Sequence, residues 1–391
     1  MTSVQNNLFD FFSSHVKEQE SQLRAWELLK EIGFPGTKSE AYKFSNVTAA
    51  LNRQIVAEYS APLELPEFYA TQGSHILIKG GQIDYERSKI KTDLQIKESA
   101  PSEGKHDPFS LLNEACAINQ IEIKSSAKDP VFLYHVSESG VNQPRIKVSV
   151  DENSSLDVIE TFGKMDSVLF SNSYIEFDIA KNARASHSKV QNYKRNGIFH
   201  ESVLANVARD AKFYNNTFSF EGRLIRNNLT INLQGENSEG YMYGAFILDK
   251  KSQVDNNTSV DHQVPNCYSD EMYKGILDEK STGVFNGKIY VRKDAQKTNA
   301  FQANNNVLLS NDATIHTKPQ LEIWADDVKC SHGCTSGQLD EEAIFYLRAR
   351  GIAEKQAKAM ILNAFAAESL NHLSIEVLRD EITNLIQEKL V

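Results

Sequence analysis

Residues 218–237 read FSFEGRLIRNNLTINLQGEN. Phe218 and Phe220 bracket one polar residue, Leu229, Ile231 and Leu233 repeat that spacing, and Gly235-Glu236-Asn237 then offers a polar turn. A period of two closed by a turn marks a strand with one buried face. The habit extends both ways along the chain. Ile146, Val148 and Val150 alternate with polar residues, as do Ile175, Phe177 and Ile179, and later Leu321 and Ile323. Short polar turns separate such runs at Lys181-Asn182-Ala183, Arg209-Asp210-Ala211 and Asn311-Asp312-Ala313. No helical period intervenes, so residues 121–338 read as an all-β body. Sandwich, barrel and β-solenoid all satisfy this pattern. Two features favour the solenoid. Small residues and Asn recur where turns are expected, at Asn182-Ala183, Asn215-Asn216, Asn256-Asn257 and Asn304-Asn305-Asn306, and Asn-Gly hairpin signals are few, at Asn196-Gly197 and Asn286-Gly287.

The flanks change period. Residues 1–120 read as a mostly helical region. A helical stretch over 7–32 carries Leu8, Phe11, Phe12 and Val16, and Gly33, Pro35 and Gly36 stop it. A short β-like run at 76–83 and a polar connection at 99–106 follow, and Asp107-Pro108-Phe109 opens a helix with Leu111, Leu112, Ala115 and Cys116. Residues 339–391 form a C-terminal helical region. Asp340 is placed to cap a first helix with Glu341 and Glu342 in its first turn, and Gly351 breaks it. A second helix presents Ala357, Met360, Ile361, Ala364 and Phe365. A third, from Ser374, presents Val377, Leu378, Ile382, Leu385 and Ile386. Amphipathic helices at a chain end pack on their own body or dock a partner.

Composition narrows the class. The 391 residues are 40% hydrophobic and 24% charged, an ordinary globular balance, and the net charge of -10 argues against a nucleic-acid or anionic-membrane surface as main partner. No apolar run reaches the roughly 18–20 residues of a membrane span, and the N-terminus lacks the basic and apolar regions of a secretory signal. Four cysteines in so long a chain are no disulfide framework, so the expected setting is a reducing cytoplasm.

Several catalytic engines are missing from the sequence. There is no phosphate-binding Gly-x-x-x-x-Gly-Lys-Ser/Thr loop, so the chain is not expected to hydrolyse nucleotide by that route. A Gly-x-Gly-x-x-Gly fingerprint, a His-Glu-x-x-His motif, a Gly-x-Ser-x-Gly elbow and a Cys-x-x-Cys site are likewise absent. What remains is Lys329-Cys330-Ser331-His332-Gly333-Cys334. In an extended chain residues two apart share a face, so Cys330, His332 and Cys334 would project together as soft or borderline donors within a few ångströms. Thiolate and imidazole suit iron, zinc or copper(I), and Asp326 and Asp327 are candidate supporting groups. Cys116 reads as core, Cys267 as turn-like, and the single histidines His187, His200, His262 and His316 as structural.

Longer stretches carry a resemblance. Lys274-Gly275-Ile276 through Gly283-Val284-Phe285-Asn286-Gly287-Lys288-Ile289, Ala295-Gln296-Lys297-Thr298, and Ala300-Phe301-Gln302 resemble the core signature of the SufB/SufD family. So do Lys318-Pro319-Gln320-Leu321-Glu322-Ile323 with Ala325-Asp326-Asp327-Val328-Lys329-Cys330-Ser331-His332-Gly333, and Leu339-Asp340-Glu341-Glu342 running into Phe345-Tyr346-Leu347-Arg348-Ala349-Arg350-Gly351-Ile352. Ser39-Glu40-Ala41-Tyr42-Lys43-Phe44 and Asp107-Pro108-Phe109 extend the likeness upstream. The family pattern has Trp where Tyr42 stands and a small residue where Cys334 stands.

The resemblance implies a right-handed parallel β-helix core flanked by N- and C-terminal helices. It implies a non-ATPase scaffold subunit of an iron–sulfur cluster assembly complex with the paralogue SufB and the ATPase SufC, the C-terminal helices docking SufC. It places the Cys-Ser-His segment at the SufB contact, with His332 the candidate ligand of a transient, shared cluster and Cys330 its thiol neighbour, and makes Cys334 the least secure of the three. It leaves open a homodimer of the isolated chain and a bound flavin, for which no motif can be read. Two rivals stand beside it: a purely structural partner subunit without a cluster ligand, and a β-helix enzyme acting on polysaccharide.

Overall fold

The computed structural model describes residues 3–55, 72–103, 107–125, 129–136, 140–162, 168–193 and 197–390. Its body is a parallel β-solenoid in which each coil gives one strand to each of two facing sheets. In the first sheet Arg184–Asn192, Lys212–Glu221, Glu239–Leu248, Tyr268–Leu277, Thr298–Leu308 and Val328–Gly337 pair in parallel. In the second, Ile198–Val207, Leu224–Leu233, Gln253–His262, Thr282–Val291 and Thr314–Ile323 do the same. Arg184 aligns with Lys212, Lys212 with Glu239, Glu239 with Tyr268 and Tyr268 with Asn299, so these coils are 28, 27, 29 and 31 residues long. Sandwich and barrel are thereby excluded. The earlier strands Ser74–Lys79, Val131–Val136 and Ser155–Phe162 extend the first sheet, and Gln120–Ser125, Arg145–Val150 and Val168–Ile179 the second.

The turns explain why the coils stack. Asn182, Asp210, Asn237 and Asn266 hold φ between 57° and 62°. Asn and Asp enter this left-handed region at lower cost than other residues with a Cβ. Each is followed by a small residue facing inward, and Ala183, Ala211, Ser238 and Cys267 are all buried. Asn182 N donates to Arg209 O, and Asp210 N to Glu236 O, so each turn is also bonded to the next. Cys267 is therefore a core residue of a turn rather than an exposed thiol.

The other Asn pairs are not turns. Asn215-Asn216, Asn256-Asn257 and Asn304-Asn305-Asn306 lie inside strands. Parallel in-register pairing puts like positions above one another, so amides bond from coil to coil. Asn227 Nδ2 donates to Asn256 Oδ1 at 2.9 Å, and Asn286 Nδ2 to Asn257 Oδ1 at 3.0 Å. Asn286-Gly287 is likewise inside a strand, Thr282–Val291, and makes no hairpin, while Asn196 lies outside the described residues.

Two helical groups flank the sheets. The predicted stretch at 7–32 is two helices, α1 (Ser3–Ser13) and α2 (Glu20–Ile32). With α3 (Val47–Gln54) and α4 (Pro108–Cys116) they bury Leu8, Phe12, Trp26, Leu29 and Phe109 against Phe170, Ile198 and Leu224 of the second sheet. Asp107 caps α4 by accepting from the amides of Phe109 and Ser110, and Cys116 is core, its thiol pushed up to about 12 by burial. Residues 104–106 of the expected polar connection lie outside the described residues, and Leu94–Ser99, unexpected from sequence, is a strand. At the other end come α5 (Glu341–Ala349), α6 (Glu354–Ala367) and α7 (Glu376–Leu390). Asp340 caps α5 as its sequence requires. Leu362, Ala366, Leu378, Ile382 and Ile386 cover Phe218, Ala245, Ile247 and Ile276 on the outer face of the first sheet. The buried stripe of α6 is only partly the expected one: Ala357 is buried as expected, but Ala359, Leu362 and Ala366 join it inside and Met360 is 51% exposed, because the sheet decides which side is covered.

The ends of the solenoid differ. The N-terminal end is closed by antiparallel strands, Gln82–Ile83 on Ser74–Lys79 and Leu94–Ser99 on Gln120–Ser125. At the C-terminal end Val328–Gly337 and Thr314–Ile323 are each the last strand of their sheet. No described helix is long and apolar enough to cross a membrane.

Coil spacing is enforced at Gly235, where a Cβ would stand 1.9 Å from Arg209 N and 2.4 Å from Ala208 C. Gly235→Ala is expected to cost about 1–3 kcal/mol or more, the range of overpacked sites, because backbone cannot yield as a side chain does. Gly337→Ala, with nothing within 4 Å of the added carbon, should be near neutral. Urea unfolding of both variants checks the contrast.

Candidate functional site

Cys330, His332 and Cys334 lie on the open terminal strand Val328–Gly337. They pair with Ala300, Gln302 and Asn304 of the preceding coil. Cys330 packs with Ile289, Val291, Ala295 and Ala300, which sets its side chain inward. The shared-face expectation holds: the three residues continue three inward-facing columns of the solenoid. That of His332 runs His187, Asn215, Met242, Glu271, Gln302, His332.

A shared face is not a shared ion. A strand rises about 3.3 Å per residue, so Cys330 and Cys334 have Cα atoms roughly 13 Å apart. Among the described residues no group of three or more His, Cys, Asp and Glu is arranged to hold a metal. Cys330 is half-buried, whereas His332 and Cys334 are exposed. Burial raises the Cys330 thiol against a weaker opposing bond from the Ala300 backbone, so only a bound cation would make it a thiolate at neutral pH. The Asp327 backbone ties down the turn before the strand: Asp327 N donates to Gln296 Oε1 at 2.9 Å, and Asp327 O accepts from Lys297 N.

The rim of this end is apolar and aromatic. Ile323 and Trp324 are 39% and 50% exposed, and Trp324 stacks at 4° on Tyr290, with the Arg292 guanidinium 5.3 Å from each ring centroid. The N-terminal segment reaches the same coil, Phe44 stacking on His316 at 4.3 Å and Glu40 pairing with Lys318.

Comparison with known proteins identifies the family. Residues 133–365 match the family described as SUF system FeS cluster assembly, SufBD core domain. The iron-sulfur cluster assembly protein SufD of Escherichia coli is 31% identical over 96% of this chain and 93% of its own. The chain belongs to the SufBD family, and is of the SufD type. A SufBD family protein of Synechocystis, slr0076, is 30% identical over 72% of this chain and 66% of its own length. A chloroplastic protein of Arabidopsis thaliana, ABCI7, is 28% identical over 66% of this chain and 57% of its own.

The SufBD body is unusually polar inside. Of the other histidines named from sequence, His187, His200 and His262 are buried, and His316 is half-buried beside Phe44. His200 contacts Tyr42, Asn172 and Asn228, and burial lowers it to about 3. His262 contacts Ser269 at 2.9 Å, and burial lowers it to about 4. His187 and His135 lie 2.9 and 2.8 Å from the two oxygens of Glu160. Burial disfavours that carboxylate, but the two imidazoles outweigh it and hold it well below the usual range.

The polar groups nearest the candidate site are Glu271 and Gln302, which sequence reasoning did not single out. Gln302 Nε2 donates to Glu271 Oε2 at 2.7 Å. The signal was Asn286-Gly287: a Cβ on Gly287 would meet Gln302 Nε2 at 2.2 Å, so this glycine makes room for the amide. Burial pushes Glu271 up to about 7, against the opposing hydrogen bond from Gln302.

The sign of the resulting pH effect is fixed. Folded Glu271 keeps its proton to about pH 7, while the ordinary value is 4.5. Its stabilising contribution is complete below about 4.5 and is lost as pH rises to about 7. Glu271→Gln should therefore gain stability relative to wild type between pH 5 and pH 8. Urea midpoints at both pH values measure this, and an unchanged difference contradicts it.

Proposed function

We propose that this chain is a non-ATPase scaffold subunit whose open solenoid end pairs with a SufB-type paralogue and holds a nascent iron–sulfur cluster between the two chains. The observation that carries this reading is the unpaired end itself. Val328–Gly337 and Thr314–Ile323 are ten-residue strands with no described strand paired to their outer edges, and Cys330 and His332 lie on the first of them. Unpaired edges are templates for strand addition, and proteins usually blunt them. Here the N-terminal edges are closed by antiparallel strands, whereas the C-terminal ones have no such strand among the described residues, and Pro319 with Lys318 interrupts only Thr314–Ile323.

The donor spacing supports a shared site. His332 and Cys330 supply an imidazole and a thiol from one side, and the rest of the coordination falls to the partner's face. The cluster is cargo, assembled and passed on, which suits a half-site that closes only in the complex. A reducing, cytoplasm-like compartment suits the four free thiols.

The C-terminal helices divide the remaining work. α6 and α7 anchor to the first sheet, whereas α5 presents Phe345 and Tyr346, 75% and 55% exposed. An apolar pair held on an anchored helical layer is a fitting handle for a SufC-type ATPase, which would supply the hydrolysis this chain has no loop to perform.

Two outcomes test the reading. His332→Ala should lower iron and sulfide in the purified complex severalfold while the complex still co-purifies; normal content would leave only the structural-subunit role. Phe345→Asp with Tyr346→Asp should abolish co-purification of the ATPase, leave the paralogue bound and leave this chain's unfolding midpoint unchanged, since both side chains are exposed.

A further inference from the structure

Inside the open end the buried amide of Gln302 has a hydrogen-bonding site left over, as Asn286 and Gln320 of the opposite sheet do. Gln302 is 3% exposed, and its Nε2 is committed to Glu271. Its Oε1 is buried without a partner. Two features fix which way the amide faces. Glu271, in register on the preceding coil, takes the NH2 end, and Gly287 of the opposite sheet leaves the space that end occupies. The carbonyl end is thereby left for the following coil, where the register partner of Gln302 is His332.

The geometry points to Gln302 as the positioning residue of His332: its Oε1 accepts one imidazole N–H, leaving the other ring nitrogen as the lone-pair donor to the cluster. This rests on the shared-site reading above and adds to it the group that selects the tautomer. A ligating histidine ordinarily gives its second N–H to a carboxylate, carbonyl or water, and loss of that partner weakens the metal site about 10- to 100-fold. The arrangement also accounts for an otherwise costly buried acceptor, since an unpaired polar atom inside a protein is disfavoured unless something completes it. The relay is Glu271 to Gln302 to His332, one residue from each of three successive coils. Glu271 acts only by holding the amide; an amide oxygen at position 271 holds it as well.

The test uses the full chain, alone and in the reconstituted complex. In the isolated chain, imidazole 15N shifts of His332 should report a single tautomer at pH 8, and Gln302→Met should give a mixture. In the complex, reconstituted anaerobically with iron(II) and sulfide, Gln302→Met should lose iron to a chelator about tenfold faster than wild type. Gly337→Ala, on the same strand as His332 and with nothing within 4 Å of the added carbon, should match wild type in both measurements. Should Gln302→Met fail to assemble, Gln302→Asn, shorter by one methylene and still polar, is expected to give the same tautomer mixture. A wild-type tautomer and extraction rate in the Gln302 variant, with His332→Ala still impaired, overturns the inference and leaves the shared site standing. Unimpaired His332→Ala overturns the shared site itself.

Discussion

Each coil of this protein is hydrogen-bonded in parallel register to the next, and almost every other feature follows from that constraint. Register makes each residue answer to the positions above and below it in a column. Turns then have to repeat in space, so Asn182, Asp210, Asn237 and Asn266 share one left-handed conformation and small residues follow them into the core. The interior need not be uniformly apolar, because stacked amides and charges satisfy one another between coils. Asn227 on Asn256 and His187 on Glu160 are bonds of this kind. A column can consequently carry polar chemistry from the middle of the body to its end.

The same constraint makes the last coil incomplete. A stacked coil is stabilised on both sides, and the terminal one lacks a neighbour to bond its strand edges and cover its inward-facing side chains. Antiparallel strands supply this at the N-terminal end. At the C-terminal end the missing cover is the proposed partner, and the side chains left waiting are Cys330 and His332. Joining two solenoids there would make each the continuation of the other. It would also enclose the cluster where both chains contribute ligands, away from bulk water.

Much of this was legible before any coordinates. Alternation at Ile146–Val148–Val150 and Leu229–Ile231–Leu233 fixes strands with one apolar face, and both runs are buried as that predicts. Asp340 was readable as a cap because a cap is a local bond between a side chain and the next few amides. The shared face of Cys330, His332 and Cys334 was readable for the same local reason. What escaped was decided by distant neighbours. Asn215-Asn216 and Asn256-Asn257 looked like turns, and only stacking converts them into ladders within strands. Gly287 looked like part of a hairpin, yet its role is to admit a side chain from the other sheet. Met360 looked buried by spacing, but the sheet beneath α6 covers a stripe that keeps Ala357 and adds Ala359, Leu362 and Ala366 instead.

The central claim is that the open edges are the paralogue-binding surface. Amide hydrogen exchange of residues 314–323 and 328–337 measures it most directly, comparing the isolated chain with the assembled complex. Pairing predicts strong protection of these two segments on addition of the SufB-type partner, while Asn182, Asp210 and Asn237 in the mid-body turns are unaffected. Unchanged exchange along both edges, in a complex shown to be assembled, would contradict it.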